Sequence, residues 1–380
     1  MTVREDPRLA EAKLIPAQEM VDRLGIVGLR RAGQELSGPC PHCGGRDRFN
    51  INTRTGAFLC RQCDMRGGDV VKLVQEVLGL GFLDALSWIC GERPAQMDAK
   101  QMEERRRRAA KAEEKRQREA ARYREQAIRD ARRIWAAAQP AEGTLVRDYL
   151  AARGITPELM PVMPLALRFI PSHGYLKKMD GETAVRHRGP AMIAGVLSPR
   201  GEIAAVHQTW IDPNPPHGKA KIVVGEETLP AKMVRGSKKG GAIRLSGDLG
   251  QFHTLVVAEG IETTLSAEVA TGADGVAFWA GVDLGNMAGR MERVQGTRHS
   301  GRPDMSDSDA FVPPPGLKRM IFVQDGDSDP KATRAKMLSG LRRAMAHFPE
   351  LRAQIVHAGA GQDLNDVLMG KGAEDELSQD

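Results

Sequence analysis

Apolar residues recur along this chain in three different rhythms. Over GGDVVKLVQEVLGLGFLDALSWICGE the positions Val71, Leu73, Val74, Val77 and Leu78, then Leu83, Leu86 and Ile89, return at helical spacing, which predicts two helices broken at the GLG triplet. From about 97 to 136, DAKQMEERRRRAAKAEEKRQREAARYREQAIRDARRIW, nearly every residue is a helix former and charge is dense, yet no apolar a/d seam persists. That pattern predicts one solvated helix held by i,i+4 ion pairs rather than a coiled coil; the run Arg105 to Arg108 is equally compatible with lying along a nucleic-acid backbone. Beyond about 140, short apolar runs alternate with helical ones. HTLVVAEG, GVAFWAG, LKRMIFVQDGD and AQIVHAG read as strands, and IETTLSAEVATG and PKATRAKMLSGLRRAMAHF as helices, so a parallel sheet with crossover connections is expected.

Composition narrows this only a little. The 380 residues suffice for two or three domains with their own cores, and the formal net charge of +6 is modest beside 27% charged residues. Where the basic excess lies matters more than its size, and an arginine-rich, aromatic-poor chain suits a partner carrying phosphates. No apolar run is long enough to span a bilayer and the N-terminus has no signal-like apolar segment, so a cytoplasmic protein without membrane contact is expected.

The cysteines change the picture more. Cys40 and Cys43 sit on one turn and Cys60 and Cys63 on another, with sixteen residues between the pairs. Four thiolates from two such turns close a tetrahedron around Zn2+ and leave no open position, so the metal is expected to be structural. Between the knuckles RFNI and AFLC read as a hairpin turning at Asn52 to Gly56, which makes a zinc ribbon. Arg46, Arg48, Arg54, Arg61 and Arg66 are candidates for contact with single-stranded nucleic acid. Phe49 and Phe58 are read two ways, as bases' stacking partners or as the ribbon's own small core. His42 and Cys90 read as a loop residue and a core residue.

The order of first knuckle (CPHCGGRDRF), second knuckle, GGD, helix, and second helix ending in W-x-x-x-G-E resembles the zinc-binding domain of DNA primases, most of all those of the phage P4 and plasmid type. That type is in turn similar to the bacterial replicative primases, which commonly have a His among the ligands where this chain has four cysteines.

A second constellation is acidic. Glu259 follows the strand Leu255 to Ala258, and Asp325, Asp327 and Asp329 follow the strand Met320 to Gln324, so both groups are expected at the carboxyl edge of one sheet. Hard oxygen ligands suit Mg2+ with a substrate's phosphates. DGDSDP also copies the start of a calcium-binding loop, but Pro330 stands where Gly is needed and Lys336 where Glu is needed, so that reading fails. Glu259-Gly260 with Asp325-Gly326-Asp327 resembles the Toprim signature. The resemblance implies Glu259, Asp325 and Asp327 as catalytic, Mg2+-binding residues (Mn2+ being able to substitute), with Asp329 the weaker ligand or a helix cap. Glu262 is a candidate to join the site, and Glu268 reads as surface.

Residues 144–250 resemble the part preceding Toprim in the same primases. Lys219, Lys232, Arg235, Lys238, Lys239 and Arg244, set among glycines, read as a basic loop for nucleotide or template phosphates or as an ordinary basic loop. Arg153 and Arg168 are weaker candidates, as are Asp363 and Asp366 in GQDLND. The expected fold is multidomain: a zinc ribbon with flanking helices over 1–95, a charged helical connector over 96–136, then an α/β core. That core comprises an α+β N-terminal subdomain (137–250) and a Rossmann-like parallel sheet of Toprim type (251–372), with an acidic tail at 373–380. The resemblance implies a nucleotidyltransferase that makes short primers on single-stranded DNA from NTPs, with a replicative helicase acting in trans because no Walker motif occurs. A nuclease or a catalytically idle single-strand-binding accessory is the alternative; a topoisomerase would need a much larger body around a nucleophilic tyrosine.

Overall fold

The computed structural model describes residues 6–63, 65–91, 99–179, 182–247, 252–272, 274–292, 294, 297, 299–324, 330–357 and 364–369. The chain divides into two compact units, Met1–Ala121 and Arg122–Asp380.

The first unit opens with α1 (Pro7–Ala12) and α2 (Ala17–Arg23). Asp6 caps α1 and pairs with the buried Arg8, which also donates to Ser87 Oγ at 3.0 Å and the Gly91 carbonyl at 3.2 Å, fastening the start of the unit to its last helix. Five antiparallel strands follow in sequence order: β1 (Arg30–Ala32), β2 (Glu35–Cys40), β3 (Gly44–Asn52), β4 (Phe58–Cys60) and β5 (Arg66–Gly67). The β3–β4 hairpin turns where the sequence predicts, because the Asn52 side chain accepts from the Arg54 and Thr55 N–H groups. Then come α3 (Val70–Leu78), capped by Asp69, and α4 (Phe82–Cys90), with the break at Gly79 in the left-handed region (φ 65°). Val71, Leu73, Val74, Leu86 and Ile89 enter one core with Phe49, Ile51 and Phe58. Leu78 and Leu83, on the same apolar repeat, stay exposed at either side of the break.

α5 (Ala99–Ala137) is the long charged helix, and i,i+3 and i,i+4 pairs such as Glu113–Arg116 and Glu114–Arg118 line its exposed middle. Its last turns are different. Ala131, Ile134 and Trp135 pack on Tyr175, Ile193, Val206 and Trp210, so in the second unit the helix is a wall of the core. Arg168 stacks on Trp135 at 4.2 Å and donates to its carbonyl, which makes Arg168 a brace for this helix end.

The second unit continues with β6 (Gln139–Pro140), α6 (Leu145–Ala151), β7 (Leu167–Met179), β8 (Glu182–Leu197), β9 (Ile203–Trp210), the hairpin of β10 (Ile222–Val224) and β11 (Glu227–Leu229), and β12 (Lys232–Gly236). Strands 12-9-8-7-6 form an antiparallel sheet. β8 is covered on both faces, Ala191 and Ile193 toward α5 and Met192, Ala194 and Val196 toward α6 and the next domain layer, which is why AMIAGV is an unbroken apolar run.

The second sheet contains β13 (Ile243–Arg244), β14 (Thr254–Ala258), β15 (Val276–Ala280), β16 (Arg319–Gln324) and β17 (Arg352–His357) in the order 13-15-14-16-17. The last four by sequence are parallel and β13 is an antiparallel edge. α7 (Ile261–Thr271) follows β14, α8 (Leu284–Ala288) follows β15, α9 (Pro330–His347) follows β16, and α10 (Leu364–Leu368) follows β17. Every strand and helix expected from the alternating pattern is present, and the short antiparallel edge is an addition. β15 and β16 lie on opposite sides of β14, so the strand order reverses between β14 and β16, where α/β sheets leave a crevice at their carboxyl ends.

Candidate functional sites: a zinc ribbon and a cation-lined strand end

Cys40 ends β2, Cys43 lies in the turn before β3, Cys60 ends β4 and Cys63 lies in the turn that follows. Their four Sγ atoms lie within 4.8 Å of one another, with Cys40–Cys63 at 3.7 Å and Cys43–Cys60 at 3.5 Å. A tetrahedron with Zn–S bonds of about 2.3 Å has edges of about 3.8 Å, so the donor set fits Zn2+ by both chemistry and size. The backbone N–H groups of His42, Gln62 and Cys63 point at Cys40 and Cys60 sulfurs at 3.4–3.5 Å. Burial raises the Cys60 thiol, but the N–H groups of Cys63 and Gln62 outweigh it and bring it down to about 6, whereas burial pushes Cys43 up to about 12. Four thiolates this close cannot all ionise without a cation among them. Phe49 and Phe58 settle in the ribbon core, ring centroids 6.0 Å apart, and are not presented for stacking.

The other face of the ribbon sheet is polar. Strand register aligns Arg30, Ser37, Asn50, Leu59 and Arg66 in one row across β1 to β5, with Arg46, Arg48 and Arg61 exposed beside it. Arg30 and Leu59 were not candidates on sequence grounds. The alternation of exposed and buried residues along β3 and β4 is the signal that selects Leu59; Arg30, outside the knuckles, is reached only through strand pairing.

In the second unit Glu259 follows the last residue of β14, half-buried beside the reversal of strand order. Asp325, Asp327 and Asp329, which follow β16 in the sequence, lie outside the described residues, as does Asp363. Glu259 lines a cavity of about 220 Å3 with Arg153, His207, Lys219, Lys232 and Glu262. Glu262 is 6% exposed. The fully buried Tyr149 hydroxyl donates to Glu262 Oε1 at 2.5 Å, Lys232 Nζ lies 3.1 Å from both carboxylate oxygens, and Lys219 Nζ lies 3.6 Å from Oε1. Burial alone would raise the Glu262 carboxyl; Lys232 and Lys219 outweigh burial and hold it well below the usual carboxylate range. Burial likewise lowers Lys219, and it takes His207 down to about 4 with help from Lys232, leaving that imidazole neutral. Among the described residues three cations thus face two carboxylates across the cavity.

Residues 219–244 do not form one flexible loop. Lys219 and Lys232 reach the Glu262 cavity, whereas Lys238 pairs with Asp283 and feels the charge of Glu259. Lys239 pairs with Asp309, Arg235 pairs with Asp130 of α5, and Arg244 lies on a different cavity over Trp279. Arg153 lies 5.8 Å over the Tyr149 ring, and its carbonyl accepts from Asn365 of α10. Glu268 is half-buried on α7, not at the surface, and burial raises its carboxyl.

Taken together these are a four-cysteine zinc ribbon and a mixed α/β unit with acids and lysines gathered at a parallel strand end. The family described as the zinc-binding domain of primase-helicase matches residues 36–71, and a domain of unknown function (DUF7146) matches residues 125–245. A DNA primase of Myxococcus xanthus is 29% identical over 155 residues, which is 40% of this chain and 24% of that protein, so the match spans about a quarter of the relative's length. The resemblance to DNA primases, consistent with the phage and plasmid type, therefore stands on matches to the ribbon and to a curated primase. Among solved structures, a DNA primase domain from Pseudomonas aeruginosa superposes with TM-score 0.37 at 14% identity, covering 66% of this chain and 77% of that one. A DnaG primase catalytic domain bound to ssDNA gives 0.39 at 15% (68% and 81%), and the primase fragment of the bacteriophage T7 primase-helicase protein gives 0.32 at 12% (90% and 97%). No single described helix is long and apolar enough to cross a membrane; α3 and α4, apolar together, are bent by 108° where they meet.

Proposed function

We propose that the chain is a DNA primase, synthesising short oligonucleotides on single-stranded DNA from NTPs. The observation that supports this best is the position of Glu259, at the reversal of strand order and beside a cavity lined by Arg153, Lys219 and Lys232. A triphosphate is the substrate such a place favours. Magnesium held by Glu259, Asp325 and Asp327, with Asp329 the less certain ligand, would neutralise phosphate charge and lower the pKa of the attacking 3′ hydroxyl. Lys219 and Lys232 bind phosphate oxygens while Glu262 and Tyr149 fix where those ammonium groups stand. Lys238 extends the cationic wall toward Glu259, and Arg235 and Lys239 are proposed as template or nucleotide contacts farther out; Arg244, on the separate cavity at Trp279, is not among them. The ribbon's outer face, with Arg46, Arg48 and Arg61, engages the template.

In this reading the domains are the template-engaging ribbon (1–95), the connector (96–136), the subdomain carrying the lysines (137–250), the Toprim sheet (251–372) and the tail (373–380). A replicative helicase acts in trans in the replication of a phage, plasmid or other mobile element. The test is to incubate the protein with NTPs, Mg2+ and single-stranded DNA and resolve the products. Short oligonucleotides are expected, and Glu259→Ala or the pair Asp325→Ala with Asp327→Ala should abolish them. An absence of product across templates, with Mn2+ as well as Mg2+, would leave the nuclease or accessory reading. Product that survives the double substitution overturns the site.

A further inference from the structure

A second cavity in the Arg122–Asp380 unit, about 640 Å3, shares no lining residue with the Glu259–Glu262 cavity. Trp279 forms its aromatic wall with Phe252 and Phe311, ring centroids 6.0 and 6.3 Å away and both edge-to-face, at 72° and 79°. The proline-rich residues 312–315 and Phe348 continue the apolar lining. Set in this wall is one guanidinium. Arg244 lies with Cζ 4.6 Å from the Trp279 ring centroid and donates from Nη2 to the Ser198 carbonyl at 3.3 Å.

Among the described residues no carboxylate pairs with Arg244, and desolvation by burial lowers its pKa. Arg244 Nε and Trp279 Nε1 are buried without an acceptor. A half-desolvated cation facing apolar walls is costly unless something anionic completes it. Ligand cavities of roughly 300–1,000 Å3 have this make-up, apolar surface with a few placed polar groups. The single guanidinium is too little charge for a polyphosphate. It matches one anionic head on a flat apolar body.

We propose that this cavity is a second ligand site, separate from the one at Glu259, and that it takes a small aromatic monoanion with its ring against Trp279 and its carboxylate on Arg244. The inference does not depend on the primase reading. Carboxylate recognition by arginine uses charge-assisted hydrogen bonds, and a ring would add a third edge-to-face partner to the Trp279 cluster.

The probes are 2-naphthoate and its neutral isostere 2-naphthamide, titrated into the full chain by calorimetry and by the indole N–H resonances of the four tryptophans. Naphthoate should bind at least about tenfold tighter than naphthamide. Only the Trp279 indole signal, assigned by its loss in Trp279→Phe, should shift. Arg244→Gln should bring naphthoate down to the level of the amide, Val312→Phe should weaken both by filling the cavity, and inorganic pyrophosphate should not displace either. The wild-type measurements stand even if a variant folds poorly. No naphthoate binding, equal affinity for acid and amide, a shift at another tryptophan, or displacement by pyrophosphate each overturns the proposal.

Discussion

The ribbon and the cavity at the end of β14 solve opposite electrostatic problems. In the ribbon four sulfur ligands are brought within 4.8 Å by two short turns, a donor set that fits Zn2+ and that the metal completes. In the cavity two lysines are brought to one buried carboxylate, and the protein supplies its own counter-charge from a helix, a strand and a loop far apart in sequence. The first arrangement depends on a ligand for stability. The second, among the described residues, carries its own counter-charge.

That contrast is most exposed to zinc removal. Structural zinc contributes an apparent free energy of roughly 10–16 kcal/mol in zinc-finger peptides at neutral pH. Cys60→Ser, or chelation, should therefore unfold the ribbon, seen as loss of amide-exchange protection in β2 to β4, while protection in β14 to β17 persists. If both are lost together, the two regions are not energetically distinct.

Next in size is Glu262→Gln. It leaves Lys219 and Lys232 facing each other, at a cost of about 2–3 kcal/mol once their partial exposure is discounted. That is a fall in melting temperature of roughly 5–10 °C. Because the folded-state pKa of Glu262 is depressed, its contribution is present above the unfolded value and lost as pH falls through the acidic range. The variant should therefore lose less stability than wild type on acidification below about pH 4. An equal loss would show that the lysines are held by something else.

His207 sharpens the same point. Its folded pKa of about 4 lies below the ordinary 6.5, so the unfolded chain binds the extra proton between those values. Stability should fall by about 3 kcal/mol as pH drops from 6.5 to 4. His207→Gln should flatten that slope, measured as urea midpoints across the range. The smallest expected effect is at the ribbon face, where Arg48→Ala or Arg66→Ala should each reduce the log–log salt dependence of single-stranded DNA binding by about 0.7. No change would remove that face from the template path.

The ribbon was legible because its chemistry is local. Two CxxC turns, a hairpin whose Asn52 closes its own turn, and an Asp69 cap each act over a few residues, so spacing alone predicts them. The strands and helices of the parallel sheet were legible for the same reason. The short edge strand β13 was not, since two residues carry no periodic signal, and nor was the docking of Trp135 and Ala131, which the charged run of α5 conceals.

Charge partners were the least legible feature. Lys219, Lys232, Arg235, Lys238, Lys239 and Arg244 look alike in one basic segment, yet folding deals them to Glu262, Asp130, Asp283, Asp309 and an aromatic wall. Glu262 and Glu268 sit six residues apart on one helix; the first is held ionised by two lysines and the second is half-buried with its carboxyl raised. By itself the sequence determined the zinc ligands, the alternation of strands and helices, and the arrival of Glu259 at a strand end, because each follows from short-range spacing and period. Tertiary structure alone decided which cation meets which acid and which aromatic ring is core or cavity wall, because those energies depend on distance and desolvation between segments that only the folded chain brings together.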